Sequence, residues 1–361
     1  MKADEIIDII KRDGRLSGGN LAGIDLSRQD LSGVILEGVQ MPRANLEGAK
    51  LSDSTLINVN LAGARMVGAD LTGCRLDNVD LSGAQMGKAF LTNAALQNVS
   101  LIGTDLSGTD LSNAFADQCD FSRAKCVGAN LFRASMQGCR LHALDVTDAD
   151  LTRLLAPGSD FTGVIFNKTD LTKAFLGEST FGKQNFSGCT LMLTKFDKSH
   201  LHGADFSGLD LTQTSFAGAD LAAARFIKSS GKYIIYNEIV ATGANFSEAD
   251  FFMVNFSKAH LAGAIFHRAR VEQSLFIDSR LEKCDFRQAE APYTDFSRAV
   301  VTGADFSQTR LNRANFHGVR RKEAVWNGAD TETIYKTDPD LWAAESWAAP
   351  ERRSQRRDKH E

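Results

Sequence analysis

The chain has 361 residues, with 41 Lys and Arg against 45 Asp and Glu, which gives a formal net charge of −4 at pH 7. A balance this close to neutral argues against a nucleic-acid backbone as a direct partner, because phosphate binding needs a concentrated basic surface. No apolar run approaches membrane-spanning length and no secretory leader is recognisable, so we expect a cytoplasmic bacterial protein without a membrane segment.

Residues 1–15 predict a short amphipathic helix. Four isoleucines stand among acidic and basic residues in this segment, namely Ile6, Ile7, Ile9 and Ile10. The apolar side of such a helix can cover the exposed end of a neighbouring structure. We therefore predict that residues 1–15 form an N-terminal capping helix.

From residue 16 onwards, a bulky apolar residue returns at nearly every fifth position. The register holds from Leu16 to Phe316 through 61 consecutive pentapeptides, whose central residues include 29 Leu, 18 Phe and 4 Met. The ten other centres are Ala116, Cys126, Val146, Ala156, Gly231, Tyr236, Ala241, Val271, Ala291 and Val301. A five-residue period fits neither an amphipathic helix nor a long strand. Such a regular internal repeat predicts a solenoid.

Within most pentapeptides, a small residue, a polar residue and the large centre follow one another, as in residues 69–71, Ala-Asp-Leu. Neighbouring side chains of a strand point to opposite sides, so this order places the small residue and the centre inside and the polar residue outside. The two residues after the centre are often Ser, Thr, Gly or charged, which is typical of turns. Each pentapeptide is thus predicted to form one side and one corner of a polygonal coil.

Residues 69–73, Ala-Asp-Leu-Thr-Gly, and residues 204–208, Ala-Asp-Phe-Ser-Gly, resemble the repeat of the pentapeptide-repeat family. The resemblance covers residues 16 to about 320. It implies an all-β solenoid, a right-handed quadrilateral parallel β-helix with four pentapeptides, or twenty residues, in each coil. The repeats would then form about fifteen coils, and a spacing of about 4.8 Å per coil gives a rod roughly 70 Å long.

The sequence offers no recognisable catalytic, cofactor-binding or metal-binding constellation. Five of the six cysteines fall on the small inward position and the sixth is a centre, so we interpret them as small buried residues. His200 and His260 point outward three coils apart, about 14 Å by the strand spacing, which is too far to share a metal ion. A closed rod also lacks the cleft that enzymes generally need. We therefore predict a non-enzymatic protein without cofactors.

One predicted face is poor in acidic residues and rich in apolar ones. Its outward apolar residues, with two isoleucines that follow its centres, are Ile35, Ile57, Phe115, Leu155, Phe175, Ile235, Leu275 and Ile277. An apolar strip on a soluble rod is typical of a contact surface, so we predict that it binds a protein partner or a second copy of the chain. The local alternative is that Phe115 and Leu155 turn inward beside the small centres Ala116 and Ala156, as at a bulge.

A second predicted face carries a stripe of aspartates. These residues are Asp30, Asp70, Asp110, Asp150, Asp170, Asp210 and Asp250. The repeat region from 16 to 320 nevertheless has 29 basic and 32 acidic residues, a net charge of only −3. The stripe keeps open the hypothesis that this face imitates the charge of DNA.

Between residues 227 and 243 the repeat motif lapses, although the register is unchanged on either side. The segment either continues as an irregular coil with Tyr236 as its centre, or projects as a loop. The β-prone residues 233–236 favour the coil. If the segment is a loop, its best candidates for contacts are Lys228, Lys232, Tyr233 and Tyr236.

The repeat pattern ends near Arg321, and residues 321–361 are predicted to form a helical cap followed by a disordered charged tail. Asp338 and Pro339 are suited to the cap and the first position of a helix. All the tryptophans lie in this part of the chain, and we expect Trp326, Trp342 and Trp347 to cover the last coil or to form a dimer contact. The charged run from residue 351 to residue 361 is expected to be disordered.

The resemblance supplies two functional hypotheses. Residues 1–33, which include Leu-Ala-Gly-Ile-Asp-Leu-Ser at 21–27, look like the opening of long repeat proteins linked to type VI secretion. This favours a scaffold or adaptor that binds a secretion-apparatus or effector protein. The alternative is a DNA-mimicking inhibitor or protector of DNA gyrase of the quinolone-resistance type, which implies a more acidic rod than this one.

Overall fold

The computed structural model describes residues 3–345 and residue 347. Helix α1 spans Ala3–Asp13, where the sequence predicts a helix. Its Ile6, Ile7 and Ile10 side chains are buried in the same apolar cluster as the first coil. The Gly14 amide donates a hydrogen bond to the Ile10 carbonyl at 2.8 Å and ends the helix. The apolar side of α1 therefore covers the first coil.

After α1 the chain winds into a parallel β-solenoid with twenty residues in each coil. Arg15 pairs with Ile35, and bridges at the same twenty-residue spacing continue without a break to Tyr335. A polygon side is only three residues wide, so strands are short and bridges between single residues are common. This geometry confirms the predicted solenoid and its register.

Ten of the sides form three-residue strands. In chain order they are β1 (Arg15–Ser17), β2 (Ile35–Glu37), β3 (Thr55–Ile57), β4 (Arg75–Asp77), β5 (Ala95–Gln97), β6 (Phe115–Asp117), β7 (Ser135–Gln137), β8 (Ser230–Lys232), β9 (Asp250–Phe252) and β10 (Arg270–Glu272). The first seven form one parallel sheet in sequential order, and the last three form a second sheet on another side of the rod.

Four faces follow from the twenty-residue period. Taking one outward residue per coil, face 1 runs from Arg15 to Tyr335, face 2 from Asn20 to Arg320, face 3 from Asp25 to Val325 and face 4 from Asp30 to Asp330. Two turn residues separate neighbouring faces, and we call the corner between faces 4 and 1, which begins with Ser32 and Gly33, edge 4–1. The second turn residue usually has a positive φ angle, such as 62° at Arg153. Its amide donates to a carbonyl of the next coil, so this unusual conformation serves the stacking of the coils.

Two columns of aromatic rings fill the second half of the core. The face 1 centres from Phe196 to Phe316 form one column, and the face 3 centres from Phe186 to Trp326 form the other. Within a column, ring centroids lie 4.6–5.4 Å apart. Rings of different columns meet edge to face, as Phe286 and Phe296 do at 87°. Both arrangements are favourable for aromatic pairs.

Small centres are compensated by large centres on the next face. Ala116 and Ala156 are buried, and each is followed by a buried phenylalanine centre, Phe121 or Phe161. Ala116 and Phe121 line the same small internal cavity. Phe115 and Leu155 remain 47% exposed. The alternative that these two side chains turn inward is therefore wrong.

Residues 227–243 form a coil rather than a projecting loop. Ile235 bridges Ser215 on one side and Asn255 on the other. Tyr236 is a completely buried centre. Gly231, the preceding centre, has a φ angle of 152° and leaves no room for a side chain, because an added Cβ would lie 2.9 Å from the Thr212 amide nitrogen. The motif lapses here because the Gly231 centre has no side chain and the usually small inward position three residues later holds the buried Ile234, whose Cδ1 lies beside Gly231.

The coils continue beyond the boundary predicted at residue 320. Val325, Asp330 and Tyr335 bridge residues of the preceding coil. Trp326 is half-buried and stacks on Phe306 with a centroid separation of 4.6 Å. Trp326 is therefore a repeat centre in the last coil and not part of a separate helical cap.

Helix α2 spans Pro339–Glu345 and follows the last coil. The Asp338 carboxylate caps it by accepting the Asp340 and Leu341 amides at 2.9 and 3.1 Å. Trp342 packs against the His317 ring on the side of the rod, and Trp347 is 71% exposed. With 11 residues in α1 and 7 in α2, no described helix has the length and apolar character needed to cross a membrane. The predicted disordered run at 351–361 lies outside the described residues.

Candidate protein-interaction surface

Face 1 exposes the apolar side chains that the sequence places on it. Of the predicted contact residues, Ile35, Phe115, Leu155, Phe175, Ile235 and Leu275 are between 38% and 47% exposed. Ile57 and Ile277 occupy the turn after the face 1 centre and are half-buried. These positions follow from the twenty-residue register and place the six exposed residues in one longitudinal row.

Edge 4–1 extends this surface with residues that the outward positions alone do not reveal. Met192, Tyr233, Met253 and Tyr293 are turn residues of this edge and are between 39% and 52% exposed. The described coils have sixteen exposed large apolar side chains, and eleven of them lie on face 1 or edge 4–1. The apolar surface is therefore concentrated on one side of the rod.

The signal for these edge residues is present in the sequence but lies outside the outward row. The second turn residue is usually glycine, asparagine or charged, whereas Tyr233, Met253 and Tyr293 are large and apolar with φ angles of 58°, 52° and 58°. A bulky apolar residue in the left-handed region is uncommon in proteins. Reading the turn positions coil by coil would have found this edge.

The four residues predicted as loop contacts separate into different environments. Tyr233 is 51% exposed on edge 4–1, and Lys232 precedes it at an exposed turn position. The Lys228 ammonium pairs with the Glu248 carboxylate at 3.6 Å on the corner between faces 3 and 4. Tyr236 is buried in the core and cannot contact a partner, so its prediction as a contact residue is wrong.

The aspartate stripe lies on face 4, where its carboxylates also stabilise turns. The Asp150 and Asp170 carboxylates each accept a hydrogen bond at 2.8 Å from the amide two residues later, and Asp70 and Asp110 do the same at 3.0 and 2.9 Å. The Ser32 hydroxyl and amide lower the pKa of the Asp30 carboxyl below its ordinary value. These hydrogen bonds form Asx-turns. The stripe therefore has a structural explanation that is independent of any partner.

Ion pairs link neighbouring coils along two of the edges, the corners between faces 1 and 2 and between faces 3 and 4. The Lys198 ammonium lies 3.8 Å from the Glu178 carboxylate, and the Arg298 guanidinium lies 2.8 Å from the Asp278 carboxylate. Partners of this kind stand twenty residues apart, so opposite charges alternate from coil to coil. Neither edge 4–1 nor the corner between faces 2 and 3 has such a pair among its described residues.

A groove lies where face 1 meets α2. It is lined by Tyr293, Arg313 and Tyr335 on one side and by Leu341 and Glu345 of α2 on the other. The Arg298 guanidinium holds Glu345 at 3.3 Å, and the His317 Nε2 lies 3.3 Å from the same carboxylate. The apolar surface thus ends in a concave site at the C-terminal end of the coils.

The cysteines are buried and free, including those at the inward positions. Burial raises the pKa of the Cys74 and Cys126 thiols to about 12 and that of Cys189 to about 11. Thiols in this state are poor nucleophiles. Within residues 3–345, no group of three or more His, Cys, Asp or Glu side chains is arranged to hold a metal ion.

A family profile described as pentapeptide repeats (8 copies) matches ten segments that together cover residues 15–230, 242–276 and 279–318. The chain belongs to the pentapeptide-repeat family. The profile leaves out residues 231–241, which contain the Gly231 and Tyr236 centres, although the coil itself is continuous there. No significant match was found among curated proteins.

Among solved structures, the chain is similar to HetL, a pentapeptide repeat protein involved in heterocyst differentiation regulation from Nostoc sp. strain PCC 7120. The two are 19% identical over 94% of this chain and 98% of HetL, with a TM-score of 0.23. QnrB1, a plasmid-mediated fluoroquinolone resistance protein, is 19% identical over 52% of this chain and 92% of its own, with a TM-score of 0.26. An Arabidopsis thaliana thylakoid-lumen pentapeptide repeat protein is 29% identical over 27% of this chain and 66% of its own, with a TM-score of 0.24.

Proposed function

We propose that this pentapeptide-repeat protein is a non-enzymatic cytoplasmic scaffold that binds other proteins through face 1 and edge 4–1. The proposal is carried by one observation, the position of eleven of sixteen exposed large apolar side chains on these two adjoining surfaces. Apolar side chains concentrated on one side of a protein surface are typical of interaction sites, and Tyr, Phe and Met are enriched in such sites. The free, buried cysteines are consistent with a reducing compartment.

Charge substitutions on face 1 test the proposal. The variant Ile35→Glu/Phe175→Glu/Leu275→Glu should lose the proteins that the wild type captures from host cells, because each substitution places a charge in the contact. The control Phe90→Glu/Ile165→Glu/Val240→Glu changes equally exposed apolar residues on the other three faces. It should capture the same proteins as the wild type. Equal capture by both variants would refute face 1 as the binding surface, and circular dichroism checks that both remain folded.

As a finer assignment, we propose an accessory role in a type VI secretion system. The support is the sequence of residues 1–33, in which an acidic and apolar helix precedes the first repeats. The gene should then lie beside genes for secretion-apparatus proteins, and the captured partner should be one of their products. A captured partner with no connection to secretion would contradict this assignment. A second copy of the chain is the other candidate partner. Light scattering after size-exclusion chromatography measures the molar mass in solution and so distinguishes a monomer from a dimer.

The gyrase hypothesis rests on the aspartate stripe of face 4. Asp150 and Asp170 are its only residues in successive coils, so most of its charges stand about 10 Å apart along the rod. Duplex DNA carries a charge about every 1.7 Å. We therefore expect the purified protein to leave gyrase supercoiling unchanged. Inhibition or protection in that assay would favour the gyrase hypothesis over the scaffold.

A further inference from the structure

Three successive coils carry a basic residue at the same position of edge 4–1. Arg133, Arg153 and Lys173 are second turn residues with φ angles of 56°, 62° and 61°, and all three are exposed. The Arg133 amide donates to the Thr152 carbonyl at 3.0 Å, which fixes adjacent coils at the usual strand spacing. The three side chains therefore start about 4.8 Å apart in a single row, which we call the basic ridge.

No other edge has basic second turn residues in two successive coils. Elsewhere a basic second turn residue is followed in the next coil by a neutral or acidic one, and some acidic followers form cross-coil ion pairs, as Glu248 does with Lys228. In the basic ridge, no described carboxylate lies within ion-pair distance of Arg133, Arg153 or Lys173. Like charges directly opposite one another on neighbouring strands destabilise a sheet.

The fold does not require basic residues at these positions. In the preceding coils the equivalent turn residues are Gly73, Asn93 and Asn113, which adopt the left-handed conformation without charge repulsion. An uninterrupted run of three cations is therefore better explained by a negatively charged partner than by the stability of the rod.

The surroundings of the basic ridge indicate on which side the partner lies. On face 1 it borders the exposed side chains of Leu155 and Phe175, with Lys195 in the next coil. On face 4 it borders Asp150 and Asp170, whose carboxylates accept their own turn amides. An anionic partner is repelled over face 4, whereas over face 1 it meets an apolar surface with a basic border.

We propose that the middle of face 1 binds an acidic amphipathic helix of a partner protein. Its apolar side covers Leu155 and Phe175, and its carboxylates lie against Arg133, Arg153 and Lys173. The basic ridge spans two coil spacings, about 10 Å, and residues i, i+4 and i+7 of a helix span about 10.5 Å along its axis. The helix lies along the rod so that three acidic residues meet three basic ones. This inference rests on the proposed function, because it names the partner class for face 1.

Two synthetic helical peptides test the inference by fluorescence anisotropy. Both carry the same leucine side, and one has Glu where the other has Lys at positions i, i+4 and i+7. The wild-type protein should prefer the Glu peptide by about tenfold, which corresponds to about 1.4 kcal/mol. The variant R133E/R153E/K173E should reverse the preference. The control R43E/R123E/K283E makes the same change of charge at isolated turn positions on another edge and should bind as the wild type does.

The outcomes separate this inference from the proposed function. Equal binding of both peptides by the wild type, or equal effects of the two triple variants, would exclude an acidic partner. If Leu155→Glu/Phe175→Glu abolishes peptide binding while the basic ridge variant does not, face 1 remains the surface and only the partner class is wrong. If neither variant changes binding, the proposed function fails at this site as well.

A second measurement needs no ligand. Arg153→Gln removes the middle charge of the basic ridge, so its thermal midpoint should exceed that of the wild type at low salt and equal it at high salt. The control Arg123→Gln, at an isolated turn position, should show no such difference. An unchanged midpoint for Arg153→Gln at low salt would show that the three charges do not repel one another and would remove the basis of the inference.

Discussion

At the scale of single residues, Tyr236 departs from the usual Leu or Phe centre of the repeat. Its ring continues the aromatic column of face 1, with centroids 5.1 Å from Phe216 and 4.8 Å from Phe256. Its hydroxyl is buried without a hydrogen-bond partner, and burial raises the pKa of Tyr236 well above its ordinary value. The hydroxyl therefore opposes the stability that the ring provides.

Replacing Tyr236 with Phe should stabilise the protein. The change keeps the stacked ring and removes a buried polar group without a partner, whose desolvation costs about 1–3 kcal/mol. We expect a higher thermal midpoint in a calorimetric scan. Tyr233→Phe, on the exposed edge three residues away, is the control and should leave the midpoint unchanged. A lower midpoint for Tyr236→Phe would mean that the hydroxyl has a stabilising partner.

At the scale of elements, α2 is held to the side of the rod by a small polar network. Arg298 bridges Asp278 of the previous coil and Glu345 of α2. The His317 Nδ1 accepts the Asp338 amide at 3.2 Å, which leaves its Nε2 to donate to Glu345. No residue of α2 is buried, so these contacts rather than a shared core fix the helix.

Arg298→Ala should release α2 from the rod. Trp342 would then lose its packing against His317, and tryptophan emission should shift to longer wavelength. Arg280→Ala, which removes a surface ion pair with Glu282 away from α2, should leave the emission unchanged.

The stability that the Arg298–Asp278 ion pair contributes depends on pH in a defined direction. The hydrogen bond from Arg298 lowers the pKa of Asp278 below its ordinary value of 3.8. A lowered pKa in the folded state means that this interaction stabilises the fold above about pH 4 and is lost as the pH falls through the folded value. The difference in stability between the wild type and Asp278→Asn should therefore disappear only in acid below that range. Loss of that difference near neutral pH would assign the effect to another group.

At the scale of the whole molecule, the two halves of the rod have different cores. Leucine centres dominate the first half, whereas the second half contains the paired aromatic columns. Each aromatic pair contributes about 0.5–1.5 kcal/mol beyond the area that it buries. Because a solenoid is stabilised mainly by contacts between adjacent coils, this difference stays local to the coils that contain the rings.

Hydrogen exchange measured by mass spectrometry should reveal this difference. Amides of residues 236–295 should exchange at least about tenfold more slowly than those of residues 56–115, which lie at an equal distance from the other end of the coils. Comparing segments equally far from the ends controls for fraying. Equal protection, or stronger protection of the leucine coils, would contradict the idea that the aromatic columns stabilise their half of the rod.

The repeat period predicts the fold and the outward rows because both depend only on spacing. The repeat period does not predict the structure of a residue whose environment depends on contacts with residues distant in the sequence. Arg321 and Thr331 occupy centre positions but are polar, so the sequence pattern does not identify their coil as a repeat. Polar centres are tolerated there because no further coil is stacked on the last one. Tyr293 and Met253 lie on turns that a reading of outward residues passes over. The docking of α2 depends on Arg298 and His317, whose partners are distant in sequence.

The unbroken twenty-residue spacing from Arg15 to Tyr335 has a genetic consequence. Duplication or loss of sixty nucleotides lengthens or shortens the rod while every downstream residue keeps its orientation. Loss of a single codon shifts each later side chain by one position, so that the buried centres move to outward or turn positions. Lineages carrying this gene should therefore differ in size by whole multiples of one winding, and the distance between two bound molecules can be adjusted without redesigning either binding site.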